Sequence, residues 1–265
     1  MAKAIRFHQH GGPEALQVDD IPVADPGPGQ VRIRHTAIGV NFVDTYQRSG
    51  LYPMQMPAIA GNEGAGVVEA VGPKVKDLKK GDTILFHAAA GGVGLIAGQW
   101  ANHLGATEIG TVGSDEKAKL AKAHGYKHVI NYSTENFVER VKEITKGKKV
   151  PVVYDPVGKT TWDGSLDCLA PCGLMVSFGN ASGPVAPQNL GILSAKGSLY
   201  VTRPTLGTYI AARADLVKRS NDLFNAVKSG KVKIETTGRY KLADAANAHR
   251  DLEGRKTAGS VILVP

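Results

Sequence analysis

The sequence predicts an α/β protein in which a doubly wound, mostly parallel sheet follows a β-rich amino-terminal unit. Residues 1–82 contain alternating or β-branched runs separated by turns, a pattern typical of strands. From Thr83 onward, strand patterns alternate with helix patterns at spacings that suit βαβ crossovers. A glycine-rich turn joins the first strand of this region to its first helix. We therefore divide the chain into a β domain (1–82), a nucleotide-binding domain (83–205) and a carboxy-terminal segment (206–265) that returns to the β domain.

The β domain has strand patterns on both sides of a proline-rich segment. That segment, DIPVADPGPGQ, contains Pro22, Pro26 and Pro28, which exclude regular structure there. The predicted strands are AIRFHQ, QVRIRHTAIGV and AGVVEAVG.

The alternating region begins with the apolar strand TILFHAA and the helix GVGLIAGQWANHLG, which ends at Gly105. The next pair is the strand ATEIGTVG and the helix SDEKAKLAKAHG, with Ser114 as N-cap and Gly125 as C-cap. A long helix is predicted over 208–229, followed by the helix LADAANAHRDLEG and the strand GSVILVP. Between the helix SDEKAKLAKAHG and residue 208, the predicted strands are HVINY, VPVVYDPVG and GLMVSFG. They alternate with the predicted helices TENFVERVKEIT and TTWDGSLDCLA.

The chain is basic, with a formal net charge of +8, and a basic protein attracts phosphate groups in general. Its lysines cluster at 74–80 and 146–149, in predicted turns where exposure to solvent is our preferred interpretation. Nucleic-acid binding is an alternative that rests on charge alone. The sequence has no zinc finger, arginine-rich stripe or aromatic RNA-binding signature, so we do not expect a nucleic-acid partner.

Other features of the composition exclude further classes of protein. Hydrophobic residues make up 42% of the chain, enough for a packed core. No window of about 18 uncharged apolar residues predicts a membrane span, and the start MAKAIRFHQH does not resemble a secretory signal. The cysteines, Cys168 and Cys172, argue against a disulfide framework and fit a reducing compartment. We expect a cytoplasmic protein with no membrane partner.

The glycine turn, Ala89–Gly94 (AAGGVG), indicates a phosphate-binding site. Glycine lets the backbone turn tightly and approach a diphosphate, while the following helix offers unpaired N–H groups and a partial positive charge. The turn is a variant of G-x-G-x-x-G with alanine at the first glycine position. Taken alone it also fits a small-residue contact between helix and strand, but its place inside a βαβ unit favours a dinucleotide.

The end of the second strand of this region distinguishes NADPH from NADH. An NAD site usually has Asp or Glu about 20 residues after the glycine turn, to bind the ribose 2′-hydroxyl. Here the strand is followed by Gly113 and Ser114, and the acidic residues come later, in the first helical turn. A small residue, a hydroxyl and Lys117 suit a 2′-phosphate, although Lys117 also fits an ordinary surface position. We predict NADPH.

With these residues assembled, the chain resembles the quinone oxidoreductase (ζ-crystallin-like) branch of the zinc-independent medium-chain dehydrogenase/reductase family. The resemblance implies a GroES-like β domain, a Rossmann domain, a homodimer and NADPH-dependent reduction of quinones or related enones. The matching segments span almost the whole chain: GVNFVDTYQRSGLYP, GNEGAGVVEAVG, HAAAGGVG, VVYDPVG, GLMVSFGNASG and LYVTRPTLGTY.

The resemblance also implies roles for individual residues. It places Asn41 and Tyr46 near the nicotinamide, as residues that both bind the cofactor and take part in catalysis. It places Tyr52 at the quinone. The residues expected to bind the rest of NADPH are Gly92, Val93, Gly113, Ser114, Lys117, Tyr132, Val157, Gly179 and Arg255. Tyr52 and Asn41 are candidate hydrogen-bond donors to a developing oxyanion, and solvent is the expected proton source.

No zinc site is expected. Zinc alcohol dehydrogenases have Gly-His-Glu where this chain has Gly61, Asn62 and Glu63. Two cysteines close together in the carboxy-terminal half do not suffice for a structural zinc site either. We interpret Glu63 as a buried, hydrogen-bonded structural carboxylate, and His87, beside the glycine turn, as a lone histidine rather than a metal ligand.

The chain departs from the family in one respect. In the family, a turn like 79–82 (KKGD) is followed by further strands of the β domain before a second similar turn precedes the nucleotide-binding strand. Here the two turns are fused, which predicts an internal deletion of roughly sixty residues and a truncated β domain. If the missing segment is part of the active-site cleft, an alternative function is NADPH binding with lost or weak catalysis.

Overall fold

The computed structural model describes residues 2–22, 33–68 and 83–265. The proline-rich segment from residue 23, the lysines of 74–80 and the predicted fused turn lie outside the described residues, as do parts of the second and third predicted strands. The chain forms two compact units. The first unit combines Met1–Gly72 with Glu235–Pro265, and the second unit is Pro73–Ile234. The sequence suggested a boundary after residue 205, whereas the chain returns to the first unit only after residue 234.

The strands are β1 (Ala2–Phe7), β2 (Gln17–Ile21), β3 (Ile33–Gly39), β4 (Ala58–Ile59), β5 (Gly64–Val68), β6 (Thr83–Phe86), β7 (Thr107–Val112), β8 (His128–Asn131), β9 (Val150–Asp155), β10 (Leu169–Ser177), β11 (Tyr200–Thr202), β12 (Thr236–Lys241) and β13 (Ser260–Val264). The α-helices are α1 (Phe42–Ser49), α2 (Gly92–His103), α3 (Asp115–Ala123), α4 (Phe137–Ile144), α5 (Trp162–Cys168), α6 (Gly191–Ala195), α7 (Leu206–Tyr209), α8 (Arg213–Lys228) and α9 (Ala245–Glu253).

The second unit is built on a six-stranded sheet with the order β11-β10-β9-β6-β7-β8. Every neighbouring pair in this sheet is parallel. The predicted doubly wound sheet is therefore confirmed. Its inner strands are largely buried and rich in β-branched and aliphatic residues, as expected where helices cover a parallel sheet. The main core of the unit contains Leu85, Ile109, Ile130, Val141, Val150, Val153, Leu166, Leu169 and Met175.

The first unit contains a three-stranded sheet, β2-β1-β4, and a four-stranded sheet, β12-β13-β3-β5. The carboxy-terminal strand β13 runs parallel to β12 and antiparallel to β3, so the end of the chain completes the sheet of the amino-terminal domain. The core of this unit joins the two ends of the chain and contains Ile5, Val40, Ala245, Ala248, Val261 and Leu263.

One prediction for the β domain was wrong, because residues 42–49 form the helix α1 rather than strands and turns. The buried residues of α1 are Asp44, Thr45 and Arg48, so the usual apolar stripe of a surface helix is missing. The capping box of Asn41 and Asp44, together with Gly50 at φ +86°, marks both ends of this helix.

The carboxy-terminal part of the nucleotide-binding unit also differs from expectation. The predicted long helix over 208–229 is two helices, α7 and α8, because the chain leaves helical geometry between Tyr209 and Arg213. The helix predicted to end with CLA stops at Cys168, since Leu169 already begins β10. Ser114 is the N-cap of α3 as predicted. His124 is its C-cap, and Gly125 follows with φ +99°.

Candidate nucleotide site and active-site residues

The predicted cofactor residues of the second unit follow the carboxyl ends of neighbouring strands. In the sheet order, β6 lies between β9 and β7, and the chain builds outward from β6 in both directions. Ligands of doubly wound sheets bind outside the carboxyl ends of the strands, at the point where the strand order reverses. Gly92, Gly113, Tyr132, Val157 and Gly179 follow β6, β7, β8, β9 and β10, respectively. The topology thus brings these residues to one edge of the sheet.

The glycine turn leaves β6 through Ala88, whose φ of +55° is uncommon for a residue with a side chain. Helix α2 begins at Gly92, and its first turn contains no acidic residue. A Cβ on Gly94 would lie 2.4 Å from the Ala88 carbonyl oxygen, so only glycine allows the helix to approach the turn this closely. Val93 is 59% exposed, although it is apolar, in the turn where a diphosphate would bind the free N–H groups.

Beyond β7, Gly113 and Tyr132 lie against each other. A Cβ on Gly113 would lie 2.9 Å from the Tyr132 hydroxyl, so a side chain there would displace the ring. Ser114 caps α3, and its Oγ accepts a hydrogen bond of 3.3 Å from the backbone N–H of Lys117. The resulting surface has a partly exposed ring, a hydroxyl and a lysine in the first helical turn.

The acidic residues in the same helical turn are engaged with other groups. Asn131 Nδ2 donates a hydrogen bond of 2.8 Å to Asp115 Oδ1. The pKa of Glu116 is lowered by a hydrogen bond to its own backbone N–H and by another to the Ser114 hydroxyl. Neither carboxylate therefore takes the place of the acidic residue that binds a ribose 2′-hydroxyl in NAD sites. This arrangement fits a nucleotide with a 2′-phosphate.

The turn after β9 is held by a buried carboxylate. Asp155 Oδ1 accepts hydrogen bonds from the backbone N–H groups of Val157, at 2.7 Å, and Gly158, at 3.0 Å. Next to it, the carbonyl oxygen of Gly179 accepts a hydrogen bond of 3.0 Å from Arg203 Nη1. The backbone around Val157 and Gly179 is thus fixed by side chains that the sequence had not singled out.

His87 belongs to a buried polar network, which the sequence analysis missed. His87 Nδ1 lies 2.8 Å from Thr111 Oγ1, and its Nε2 lies 3.0 Å from Ser165 Oγ. Ser165 Oγ in turn donates a hydrogen bond of 2.8 Å to Asp155 Oδ2. Thr161 Oγ1 is 2.7 Å from the same oxygen. The pairing of β6 with β7 and β9 brings His87, Thr111 and Asp155 together although they are distant in sequence, and α5 adds Ser165 to the cluster.

In the first unit, Asn41 belongs to a cluster of amides and carboxylates at the start of α1. Asn41 Nδ2 donates a hydrogen bond of 2.7 Å to Glu63 Oε2, and its backbone N–H donates one of 2.8 Å to Asp44 Oδ2. Asn62 Nδ2 lies 3.1 Å from Asp44 Oδ1 and 3.0 Å from Gln47 Oε1. Burial raises the pKa of Asp44, and the charge of Glu63 adds to this, while the hydrogen bonds from Asn41 and Asn62 oppose it.

The tyrosines predicted to act on nicotinamide and quinone lie next to each other. The rings of Tyr46 and Tyr52 are 5.3 Å apart in an edge-to-face arrangement, a favourable geometry for aromatic pairs. The backbone N–H of Tyr52 donates to the carbonyl oxygen of Tyr46. Asn41 caps the helix that carries Tyr46, so the structure brings these three predicted residues together. Arg255, with φ +57°, follows α9 in the same unit.

Among residues 2–22, 33–68 and 83–265, no group of three or more His, Cys, Asp or Glu side chains could hold a metal ion. The Asn62 amide is hydrogen-bonded to Asp44, and the Glu63 carboxylate accepts a hydrogen bond from Asn41. Glu63 is hydrogen-bonded as predicted, but the prediction that it is buried was wrong, because its side chain is exposed at the surface of the first unit. Within the same described ranges, no helix is long and apolar enough to cross a membrane.

A six-stranded Rossmann sheet with a glycine turn, together with a β-rich unit closed by both ends of the chain, defines a dinucleotide-dependent protein of the dehydrogenase type. The sequence profile described as "Zinc-binding dehydrogenase" matches residues 92–226, and "Alcohol dehydrogenase GroES-like domain" matches residues 27–125. The chain belongs to this zinc-binding dehydrogenase (medium-chain dehydrogenase/reductase) family, with a GroES-like amino-terminal domain.

Relatives in this family match the chain along its whole length. It is 48% identical, over 325 aligned positions that cover all of both chains, to a quinone oxidoreductase of Pseudomonas aeruginosa. A 2-haloacrylate reductase of a Burkholderia species is 40% identical and matches all of this chain and 99% of its own. A crystal structure of Escherichia coli quinone oxidoreductase complexed with NADPH superposes with a TM-score of 0.92 at 46% identity, with full coverage of both chains.

Proposed function

We propose that this chain is an NADPH-dependent reductase of quinones. The observation that carries the proposal is the 48% identity to a quinone oxidoreductase along the full length of both chains. NADPH as the cofactor is supported by the surface that Gly113, Ser114, Lys117 and Tyr132 form. The nearby carboxylate of Asp115 accepts a hydrogen bond from Asn131, so it does not take the place of the acidic residue that binds the ribose 2′-hydroxyl in NAD sites.

The cofactor, when bound, supplies a hydride to an electrophilic carbon of the substrate. The chain's own residues bind the cofactor and orient it and the substrate. The N–H groups of Gly92 and Val93 bind the diphosphate, while Ser114, Lys117 and Tyr132 bind the adenosine end with its 2′-phosphate. Val157, Gly179 and Arg255 contact the remaining part of NADPH.

Asn41, Tyr46 and Tyr52 act at the reacting end. One N–H of the Asn41 amide is committed to Glu63, so the second N–H is the one that can stabilise negative charge on the substrate oxygen. Tyr46 contacts the nicotinamide, and the hydroxyl of Tyr52 donates to the quinone. Solvent supplies the proton that completes the reduction.

We propose further that the chain has an internal deletion relative to its relatives. The alignment with the Pseudomonas aeruginosa enzyme spans 325 positions, while this chain supplies 265 residues, so at least 60 positions have no residue from this chain. A shortened β domain is the reason to keep a second candidate function, NADPH binding with weak catalysis. Hydride transfer needs donor and acceptor aligned with water excluded, which makes catalysis more sensitive than binding to a missing segment.

The homodimer is also a proposal, supported by the edge of the second unit's sheet. The edge strand β11 has Tyr200 63% exposed and Val201 38% exposed, and Leu206 beyond it is 73% exposed. An exposed edge with apolar side chains can pair with the same strand of a second copy. Val201→Lys would then lower the molar mass measured by light scattering to that of a monomer. An unchanged mass would exclude this interface.

A cytoplasmic location stays a prediction.

The test of function is a fluorescence titration of the purified chain with NADPH and NADH, followed by turnover with several quinones. Tight NADPH binding, weak NADH binding and quinone-dependent NADPH oxidation are expected. NADPH binding without turnover would favour the second candidate function. Failure to bind either nucleotide would reject both.

A further inference from the structure

The hydrogen bonds of the His87 network have a fixed direction. Ser165 has one hydroxyl proton, and the carboxylate of Asp155 can only accept, so that proton lies on the 2.8 Å contact to Asp155. The Ser165 oxygen must then accept from His87, whose Nε2 therefore carries a proton. His87 Nδ1 is left as an acceptor for the hydroxyl of Thr111.

The network closes on the turn that follows β9. The Asp155 carboxylate accepts from Ser165 and Thr161 through Oδ2, and from two backbone N–H groups, those of Val157 and Gly158, through Oδ1. These bonds satisfy the carboxylate without a cation. They also fix the conformation of the Asp155–Gly158 turn, because a shift of the turn would break bonds on both oxygens.

The other end of the network lies at the base of the glycine turn. His87 directly precedes Ala88, and the backbone N–H of His87 donates a hydrogen bond to the carbonyl oxygen of Tyr154 on β9. The imidazole is fully buried, and the Phe137 ring packs edge-on against it with the ring centroids 5.0 Å apart. Burial also lowers the pKa of His87, while the charge of Asp155 raises it. The two turns that flank the switch point are therefore joined by a buried series of hydrogen bonds.

We propose that His87 and Asp155 are positioning residues, and that the neutral His87 with its proton on Nε2 holds the Asp155–Gly158 turn in the conformation that receives the nicotinamide half of NADPH. This inference rests on the proposed function. Both side chains are fully buried, so their effect on the cofactor is transmitted through the backbone at Val157. Buried polar groups that lose one partner are costly, and networks of this kind tolerate few arrangements.

The test compares NADPH with 2′,5′-ADP, which contains only the adenosine end of the cofactor. His87→Leu should raise the Kd for NADPH about tenfold, since it leaves the Ser165 hydroxyl without its donor. The Kd for 2′,5′-ADP should change less than about twofold, since that fragment binds beyond β7 and β8. His87→Gln can place an amide N–H near the position of Nε2 and should recover most of the NADPH affinity. His103→Leu, on an exposed part of α2, is the matched control.

Ser165→Ala provides a second break in the network with a smaller change in volume, and it should reproduce the selective loss. Equal weakening of both ligands in His87→Leu and Ser165→Ala would show a general folding role and overturn the proposal, as would unchanged NADPH binding. If the unmodified chain binds 2′,5′-ADP but not NADPH, the proposed function fails, and the positioning role with it.

A spectroscopic readout tests the network without any cofactor. In ¹⁵N-labelled protein, the His87 ring should give one protonated nitrogen, Nε2, and one bare nitrogen, Nδ1, near neutral pH. Ser165→Ala should shift the Nε2 resonance, while Nδ1 stays bare. A proton on Nδ1 instead of Nε2 would contradict the assigned direction of the hydrogen bonds in the network, and with it the proposal.

Discussion

The side-chain amide of Asn131 donates a hydrogen bond of 2.8 Å to the carboxylate of Asp115, which joins the end of β8 to the first turn of α3. The contact holds the carboxylate of Asp115, the residue that follows Ser114, at the end of β8. A carboxylate that already accepts a hydrogen bond from Asn131 is a poorer partner for a ribose 2′-hydroxyl. We expect the preference for NADPH over NADH to depend on this amide as well as on the lack of an acidic residue at the end of β7.

The first prediction concerns Lys117. Lys117→Met should raise the Kd for NADPH by about tenfold while it leaves the Kd for NADH nearly unchanged, because a charge-assisted bond to phosphate contributes about 1.5–3 kcal/mol. The measurement is a fluorescence titration with each nucleotide. Lys119→Met, on the exposed side of the same helix, should have little effect. A parallel loss for NADH would mean that Lys117 supports the fold and not the 2′-phosphate.

The second prediction concerns the close approach at Gly94. Gly94→Ala places a methyl group 2.4 Å from the Ala88 carbonyl oxygen and 2.7 Å from that of Ala89, so α2 or the turn must move. We expect a loss of stability of roughly 1–3 kcal/mol, as for other overpacked sites, together with a loss of nucleotide binding. Gly207→Ala is the control, because in the described part of the chain no atom outside its own helical turn and chain neighbours lies within 4 Å of its Cβ position. Denaturant unfolding would measure the stability of both variants, and an unchanged midpoint for Gly94→Ala would contradict the predicted steric clash.

The third prediction separates Asn41 from its partner Glu63. Asn41→Ser keeps a good N-cap for α1 but removes the amide, and we expect kcat/KM for quinone to fall by on the order of 100-fold. Glu63→Ala should lower it by about tenfold, since the 2.7 Å bond that orients the amide is lost. Gln47→Ala, which contacts the cluster through Asn62, is the control. Equal activity in Asn41→Ser and the unmodified chain would exclude the amide from the reaction.

The fourth prediction concerns stability in acid. His249 is 3% exposed, and its pKa is lowered to about 4 by burial first and by the charge of Arg48 second. Between about pH 6.5 and 4 the unfolded chain binds a proton that the native chain does not, so stability falls as the pH decreases through this window. The full effect is on the order of 3 kcal/mol. His249→Gln should reduce the loss measured by denaturant unfolding at pH 7 and pH 4.5. His103→Gln, at an exposed site, should retain it.

The fifth prediction has the opposite sign. Burial raises the pKa of Glu108 to about 7, so the native chain holds a proton between about pH 4.5 and 7 that the unfolded chain has lost. This carboxyl therefore makes stability fall as the pH rises through the same window. Glu108→Gln should abolish that fall, and its unfolding free energy at pH 7.5 should exceed that of the parent. A variant no more stable than the parent at pH 7.5 would contradict the raised pKa. Because the two groups oppose each other, only comparisons of each variant with the parent isolate them.

The sequence alone determined the parallel sheet, most of its helices and the cofactor turn, because these depend on local signals. The period of the apolar residues distinguishes strands from helices, and glycine after a strand marks the close approach at Gly94. Ser114 could be predicted as an N-cap because capping depends on residues three positions apart. Helix α1 was missed since its buried positions are polar, which hides the pattern that the prediction uses.

What the tertiary structure alone decided are relationships between residues distant in sequence. His87 and Ser165 are 78 positions apart, and Arg48 and Glu253 are 205 apart, so no local pattern connects them. Strand pairing brings His87, Thr111 and Asp155 together at adjacent strand ends, where burial and low dielectric make each hydrogen bond directional and costly to break. The sequence therefore predicted NADPH as the cofactor, while the fold determined which buried side chains are hydrogen-bonded at the turns after β6 and β9.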